Sequence, residues 1–248
     1  LADWLRFLPQ TCKAILTSRR RSVEGAVRLR VEALDWDAAR GIIENEMARD
    51  AGLANKLRRV ESRWQELYDE TNGSPLALVH TLGLMRVRTA LTFDVALAML
   101  RGNRDADLQK FIFQEARKEL TTNDKTALGG LSFFVPSAAF EAWMQVANLS
   151  RNALETTTDR LAALSLVDML AGEERYALHP LTRAFARKEL LADTNVARET
   201  GIRFAQYWSK FASRYGGKGG NYRTFAKLER EWSNLQAAGN WLWKIMVV

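Results

Sequence analysis

The chain has 248 residues, 47% of them hydrophobic and 26% charged, with a net charge of +7. That is enough apolar material for two small domains, or for one with appendages, and the sparse Pro and Gly exclude a disordered chain. No run approaches the roughly 18 apolar residues of a membrane span, so no membrane partner is expected; a single cysteine excludes an internal disulfide and suits a reducing cytoplasm.

In chain order, residues 13–18 are a short run without helical period. They read as a buried strand ending at Thr17, Ser18 and Arg19. Cys12 beside it is expected to be packed away rather than reactive, since no His is near it in sequence. A second strand is expected over 26–34, where Val27, Leu29, Val31 and Ala33 alternate with Arg28, Arg30 and Glu32. Two parallel strands make no stable sheet. With no initiating Met either, the chain is expected to be a piece of a longer protein whose other strands precede Leu1.

Helices then dominate. Asp37 is placed to cap a helix running to about Arg49. Leu53, Leu57, Val60, Trp64 and Leu67 fall at helical spacing and predict one further helix, ending at Asn72 and Gly73. Pro75 opens the next, through about Val87. Helices over 92–100 and 105–118 follow.

From Asn123 the texture changes. Residues 124–133 read as helix, a helix is expected from Ser137, and Ser150 caps another through about Leu164. Leu166 to Leu170, a Gly172-Glu173-Glu174 turn and Arg175 to Leu178 have the pattern of a β-hairpin. Three helices and a hairpin is the order of a winged helix. The end reads as an αα-hairpin, with Phe204, Trp208, Phe211 and Tyr215 on one stripe and Phe225, Leu228, Trp232, Leu235 and Leu242 on the other. The Gly216 to Gly220 segment joins them, and further helical repeats are expected to cover them.

Three short motifs carry the chemistry. Leu16-Thr17-Ser18-Arg19 ends a strand with a guanidinium that can meet a phosphate. In Gly73-Ser74-Pro75-Leu76-Ala77, Gly releases one helix and Pro opens the next, with a flat ring that can pack on a base. Leu178-His179-Pro180 lies between hairpin and helix, where a His can donate to a phosphate. Alone, each is weak: a lone His in an apolar context is more often a core histidine. Their order and separation are more specific.

The set resembles the NB-ARC class of STAND ATPases. Leu16-Thr17-Ser18-Arg19 is similar to that family's sensor strand, whose Arg reads the γ-phosphate. Gly73-Ser74-Pro75-Leu76-Ala77 is similar to its Gly-Leu-Pro-Leu-Ala motif, whose Pro contacts adenine. Leu178-His179-Pro180 stands where the family has Met-His-Asp, whose His binds the β-phosphate of ADP; Pro180 replaces the Asp. Glu231, Asn234, Leu235 and Ala238 look like the helical repeats that often follow. The resemblance implies a mainly α chain: the end of an α/β nucleotide-binding domain (1–36), a helical domain (37–120), a winged helix (121–192) and the start of a TPR-like repeat region (193–248). It implies ADP or ATP, with magnesium in the parent, as the nucleotide. The nucleotide-facing residues would be Thr17, Ser18, Arg19, Gly73, Pro75, Leu76 and His179. The implied partners are an upstream nucleotide-binding core, proteins bound through the repeats and, on activation, further copies of the chain.

No Gly-x-x-x-x-Gly-Lys-[Ser/Thr] occurs, and Gly216-Gly217-Lys218-Gly219-Gly220 has the wrong spacing and no preceding strand. The chain is therefore not expected to hydrolyse ATP by itself. Two other readings remain open. One is a DNA-binding winged helix; its candidate recognition helix, 150–164, balances Arg151 and Arg160 against Glu155 and Asp159, which suits a polyanion poorly. The other is a pure scaffold that binds through its aromatic C-terminal helices. With His80 and His179 far apart in sequence, no metal cluster or hydrolase triad is expected.

Overall fold

The computed structural model describes residues 12, 32–103, 108–170, 172–216 and 224–246. Chain contacts divide the molecule into Leu1–Ala33 and Leu34–Val248. Of the first unit residues 12, 32 and 33 are described. Cys12 is exposed and unpaired, so the expected burial fails. Residues 32–34 are irregular rather than strand, and the rest of both expected strands lies outside the described residues.

The larger unit is mainly helical. Helix α1 (Trp36–Arg49) is capped by Asp35, whose side chain accepts from Ala38 N at 2.8 Å, and not by Asp37, which sits in the first turn. The single helix expected over 53–67 is broken. Helix α2 (Ala51–Arg58) gives way to a 3-10 turn (Glu61–Arg63) and α3 (Trp64–Glu70). The stripe itself is still buried: Leu53, Leu57, Trp64 and Leu67 all enter the core. The break reorients the chain, and Trp64 Nε1 then donates to the Leu57 carbonyl at 3.0 Å. Helices α4 (Pro75–Val87), α5 (Phe93–Arg101) and α6 (Leu108–Glu119) complete this part. Lys56 Nζ fastens it, donating to the carbonyls of Met85, Arg88 and Leu91 around the end of α4.

Next come α7 (Thr122–Leu131), β1 (Ser137–Ala139), α8 (Phe140–Ala147), α9 (Arg151–Ala163), β2 (Asp168–Leu170) and β3 (Arg175–Ala177). The three strands form an antiparallel sheet in the order β1-β3-β2. Residues 137–139, expected as the start of a helix, are instead paired with β3, Ser137 opposite Ala177 and Ala139 opposite Arg175. Backbone pairing with a distant strand outweighs the local helical pattern there. The hairpin turns at Gly172 and Glu174, both at positive φ.

A short helix α10 (Pro180–Phe185) runs into a π turn (Ala186–Leu190). Then come α11 (Thr194–Gly216), α12 (Phe225–Arg230) and α13 (Trp232–Met246). Phe204 and Trp208 of α11 are buried as expected. The expected stripe on α12 and α13 is buried only in part: Leu228 and Leu235 are half-buried, Leu235 against the core, but Phe225, Trp232 and Leu242 are exposed, Trp232 by 57%. The buried face carries Glu231, Asn234 and Ala238. A Cβ at Gly201 on α11 would collide with the Trp241 ring, which shows how closely α13 lies on α11. One apolar core runs from Ala39 to Ala238. Among the described residues, no helix is long and apolar enough to cross a membrane.

Candidate functional site

The site is built around α4. Asn72 and Gly73 take φ of 51° and 61°, in the left-handed region that ends helices. Ser74 then caps α4 through its side chain, accepting from Ala77 N at 3.3 Å, and Pro75 occupies the first turn. Gly73 is buried, Pro75 exposed and Leu76 half-buried, so the ring of Pro75 is open at the helix start.

His80 lies five residues further along, about 7.5 Å at the helical rise. It is only 2% exposed, its Nε2 has no acceptor or donor, and its ring meets Phe113 edge-on at 5.0 Å. Burial pushes its pKa down to about 4; the neighbouring His179 pushes the same way, and a hydrogen bond with the Ser165 backbone opposes. His80 is therefore a neutral ring at pH 7.

Further along α4 lies a close helix contact. A Cβ at Gly83 would fall 2.7 Å from the Leu164 carbonyl oxygen and 3.2 Å from that of Ala163. Only glycine lets α4 come this near the end of α9. Arg86, on the same helix, donates to the Ala163 carbonyl at 2.9 Å and pairs with Glu46 of α1 at 2.5 Å. The end of α9 leads directly into the β2–β3 hairpin, after which His179 follows. A glycine inside an apolar helix was the sequence signal for the contact.

His179 is exposed and caps α10. Its Nδ1 accepts from Leu181 N at 3.3 Å, so the proton of the neutral ring sits on Nε2. Asp168, at the start of β2, shares this neighbourhood. Burial raises its pKa, while the charges of His179 and Arg49 work to lower it. Arg49 itself pairs with Glu46 at 2.8 Å. The charge of His179 is thus felt by both His80 and Asp168. Thr17, Ser18 and Arg19 lie outside the described residues.

Helix α9 presents little free positive charge. Arg151 bonds Glu141 at 3.1 Å, pairs with Glu155 at 3.7 Å and covers the Phe140 ring at 5.2 Å. Arg160 pairs with Asp124 at 3.0 Å and donates to the Glu119 carbonyl.

Sequence reasoning missed a second polar assembly, between β3 and α13. Arg175, 6% exposed, donates from Nη1 and Nη2 to the two carboxylate oxygens of Glu231, at 2.5 and 3.1 Å. Its Nε and Nη2 also reach the Ser137 hydroxyl and carbonyl at 2.8 and 3.0 Å. Asn234 accepts from Val135 N at 2.7 Å and donates to Glu231 and to the Ser137 carbonyl. This assembly is a fastening, with its donors and acceptors satisfied by one another.

Among the described residues no group of His, Cys, Asp and Glu could hold a metal ion. Compared with family models, curated proteins and solved structures, the chain matches none.

Proposed function

We propose that this chain is the switch-reading part of an NB-ARC-like STAND ATPase, in which a helical domain and a winged helix respond to ADP or ATP held by an upstream core. The observation that supports the reading is the electrostatic influence of His179 on His80, which lies on the helix that opens at Pro75. A shared nucleotide would require the motifs at Pro75 and His179, about a hundred residues apart in sequence, to face one region. The element order α7-β1-α8-α9-β2-β3 supports the winged-helix assignment. Pro75 is exposed for a base, and His179 keeps Nε2–H for a phosphate. Helices α11 to α13 would begin the repeat region and offer their exposed aromatic face to protein partners. Against direct DNA binding, the two basic residues of α9 are both committed to neighbouring carboxylates.

The test is His179→Ala. One hydrogen bond to a charged phosphate is worth about 1.5–3 kcal/mol. In a chain carrying the nucleotide-binding core upstream, ADP affinity should fall by about 10- to 150-fold and the population should move toward the open, assembling state. In the present chain the melting temperature should change little, because His179 is exposed and makes one long cap bond. A large loss of stability here, with ADP affinity in the core-bearing chain unchanged, would overturn the reading.

A further inference from the structure

Several partly buried guanidiniums in this protein rest on carboxylates. Arg86 pairs with Glu46, Arg88 with Glu115 and Glu119, and Arg175 with Glu231. Arg183 and Arg187 do not. Arg183 on α10 donates from Nη2 to the Pro136 carbonyl at 2.9 Å. Arg187, one turn on in the π turn, donates from Nε to the Ser132 carbonyl at 3.1 Å and lies 5.9 Å above the Phe133 ring. Among the described residues neither forms an ion pair, and Glu189, the acid nearest in sequence, is taken by Arg117 at 3.2 Å.

Electrostatics agree with the geometry. The pKa of Arg183 is lowered by burial and then by the charge of Arg187; that of Arg187 is lowered by burial. Arg88 moves the other way: burial pulls it down, but its bonds to Glu115 and Glu119 outweigh that. Among the described residues no carboxylate plays this part for Arg183 or Arg187. Each guanidinium offers five N–H donors, and each uses one. The Nε of Arg183 is buried and has no acceptor.

Arg183 is half-buried and Arg187 exposed, four residues apart with open forks, and the buried Nε of Arg183 lacks an acceptor; an anion that joined the two would satisfy these donors. Planar forks match phosphate oxygens, and a dianion balances two cations. We infer that Arg183 and Arg187 form a binding site for a phosphate group, as free phosphate or as a phosphate monoester. Fastening the end of α7 explains one carbonyl bond from each arginine. It explains neither the missing counter-ion nor the unused donors. The site does not depend on the nucleotide reading, since His179 neighbours His80 and Asp168 whereas the arginines lean on residues 132–136.

The experiment uses the whole chain and inorganic phosphate. Against chloride at matched ionic strength, phosphate at ten times its dissociation constant should raise the melting temperature by about 2–4 °C. R183Q/R187Q should abolish the rise. R58Q/R59Q, at two exposed arginines ending α2, should retain it. Because the first pair also loses two carbonyl bonds, the wild-type chain supplies a second readout: phenylglyoxal labelling mapped by mass spectrometry. Phosphate should slow labelling severalfold at Arg183 and Arg187 and leave Arg58 and Arg59 unchanged. Equal stabilisation by glutamate would overturn the phosphate assignment. Unprotected labelling at Arg183 and Arg187 would overturn the site.

Discussion

Two contacts join the sheet-bearing middle of the molecule to the helices on either side, and they are made of opposite materials. The contact of α4 with the end of α9 is close and largely apolar, formed at Gly83, with a neutral His80 whose Nε2 lacks a partner. The contact of β3 with α13 is charged, and Arg175, Glu231 and Asn234 satisfy one another and Ser137. A buried charge with its complement in place is a strong fastening, because removing either partner strands the other. A buried neutral base with an open nitrogen is a contact that a proton can loosen. The first suits a fixed joint, the second a joint that has to move.

The largest expected effect lies at the fixed joint. Glu231→Ala leaves the Arg175 guanidinium buried without its carboxylate and should cost about 3–5 kcal/mol in urea unfolding. The double variant Arg175→Met, Glu231→Leu should recover much of that loss, since apolar groups of similar volume tolerate burial. If the double variant is no better than the single one, the joint is held by packing and the contrast disappears.

The second effect belongs to the yielding joint and appears as a pH dependence. The folded pKa of His80 is about 4, against about 6.5 when unfolded. Between those values the unfolded chain binds more protons, so stability is full above about pH 6.5 and declines as pH falls toward 4. A shift of this size corresponds to about 3 kcal/mol. Unfolding of the wild type across this window should show the decline, and His80→Leu should flatten it. An equally steep decline in the variant would move the proton uptake to another group.

What the sequence made legible was local. Pro75, Thr92 and Ser150 mark helix starts because such signals act within three residues, and each stands where the sequence placed it. The hairpin around Gly172 was readable for the same reason. What escaped was set by distant partners. Ser137 to Ala139 become a strand only because β3 lies alongside, and Arg175 finds Glu231 56 residues away. The stripe of Phe225, Trp232 and Leu242 misled because apolarity was taken to mark the buried face. Here a polar network fixes which face turns inward. Within the candidate site, Pro75 and His179 stood out in the sequence, but the burial of His80 depends on helix packing.

The smallest effect separates the close approach itself from the chemistry around it. In Gly83→Ala the new methyl would stand 2.7 Å from the Leu164 oxygen and 2.8 Å from its carbon. Both are backbone atoms, so relief requires the end of α9 to move, at a cost of about 1–3 kcal/mol. Gly41, inside α1, has nothing within 4 Å of the same construction. Gly41→Ala should therefore add about 0.5–1 kcal/mol through helix propensity alone. The two alanines thus have opposite signs, and thermal melts of both variants read them directly. The Gly83 variant has a further consequence. Parting α4 from α9 lets water reach His80, restores part of its normal basicity, and should shrink the stability decline between pH 6.5 and 4. A Gly83→Ala protein that is destabilised yet keeps the full acid decline would show that His80 stays buried by its other neighbours, Phe113 foremost, and that the yielding joint does not open at Gly83.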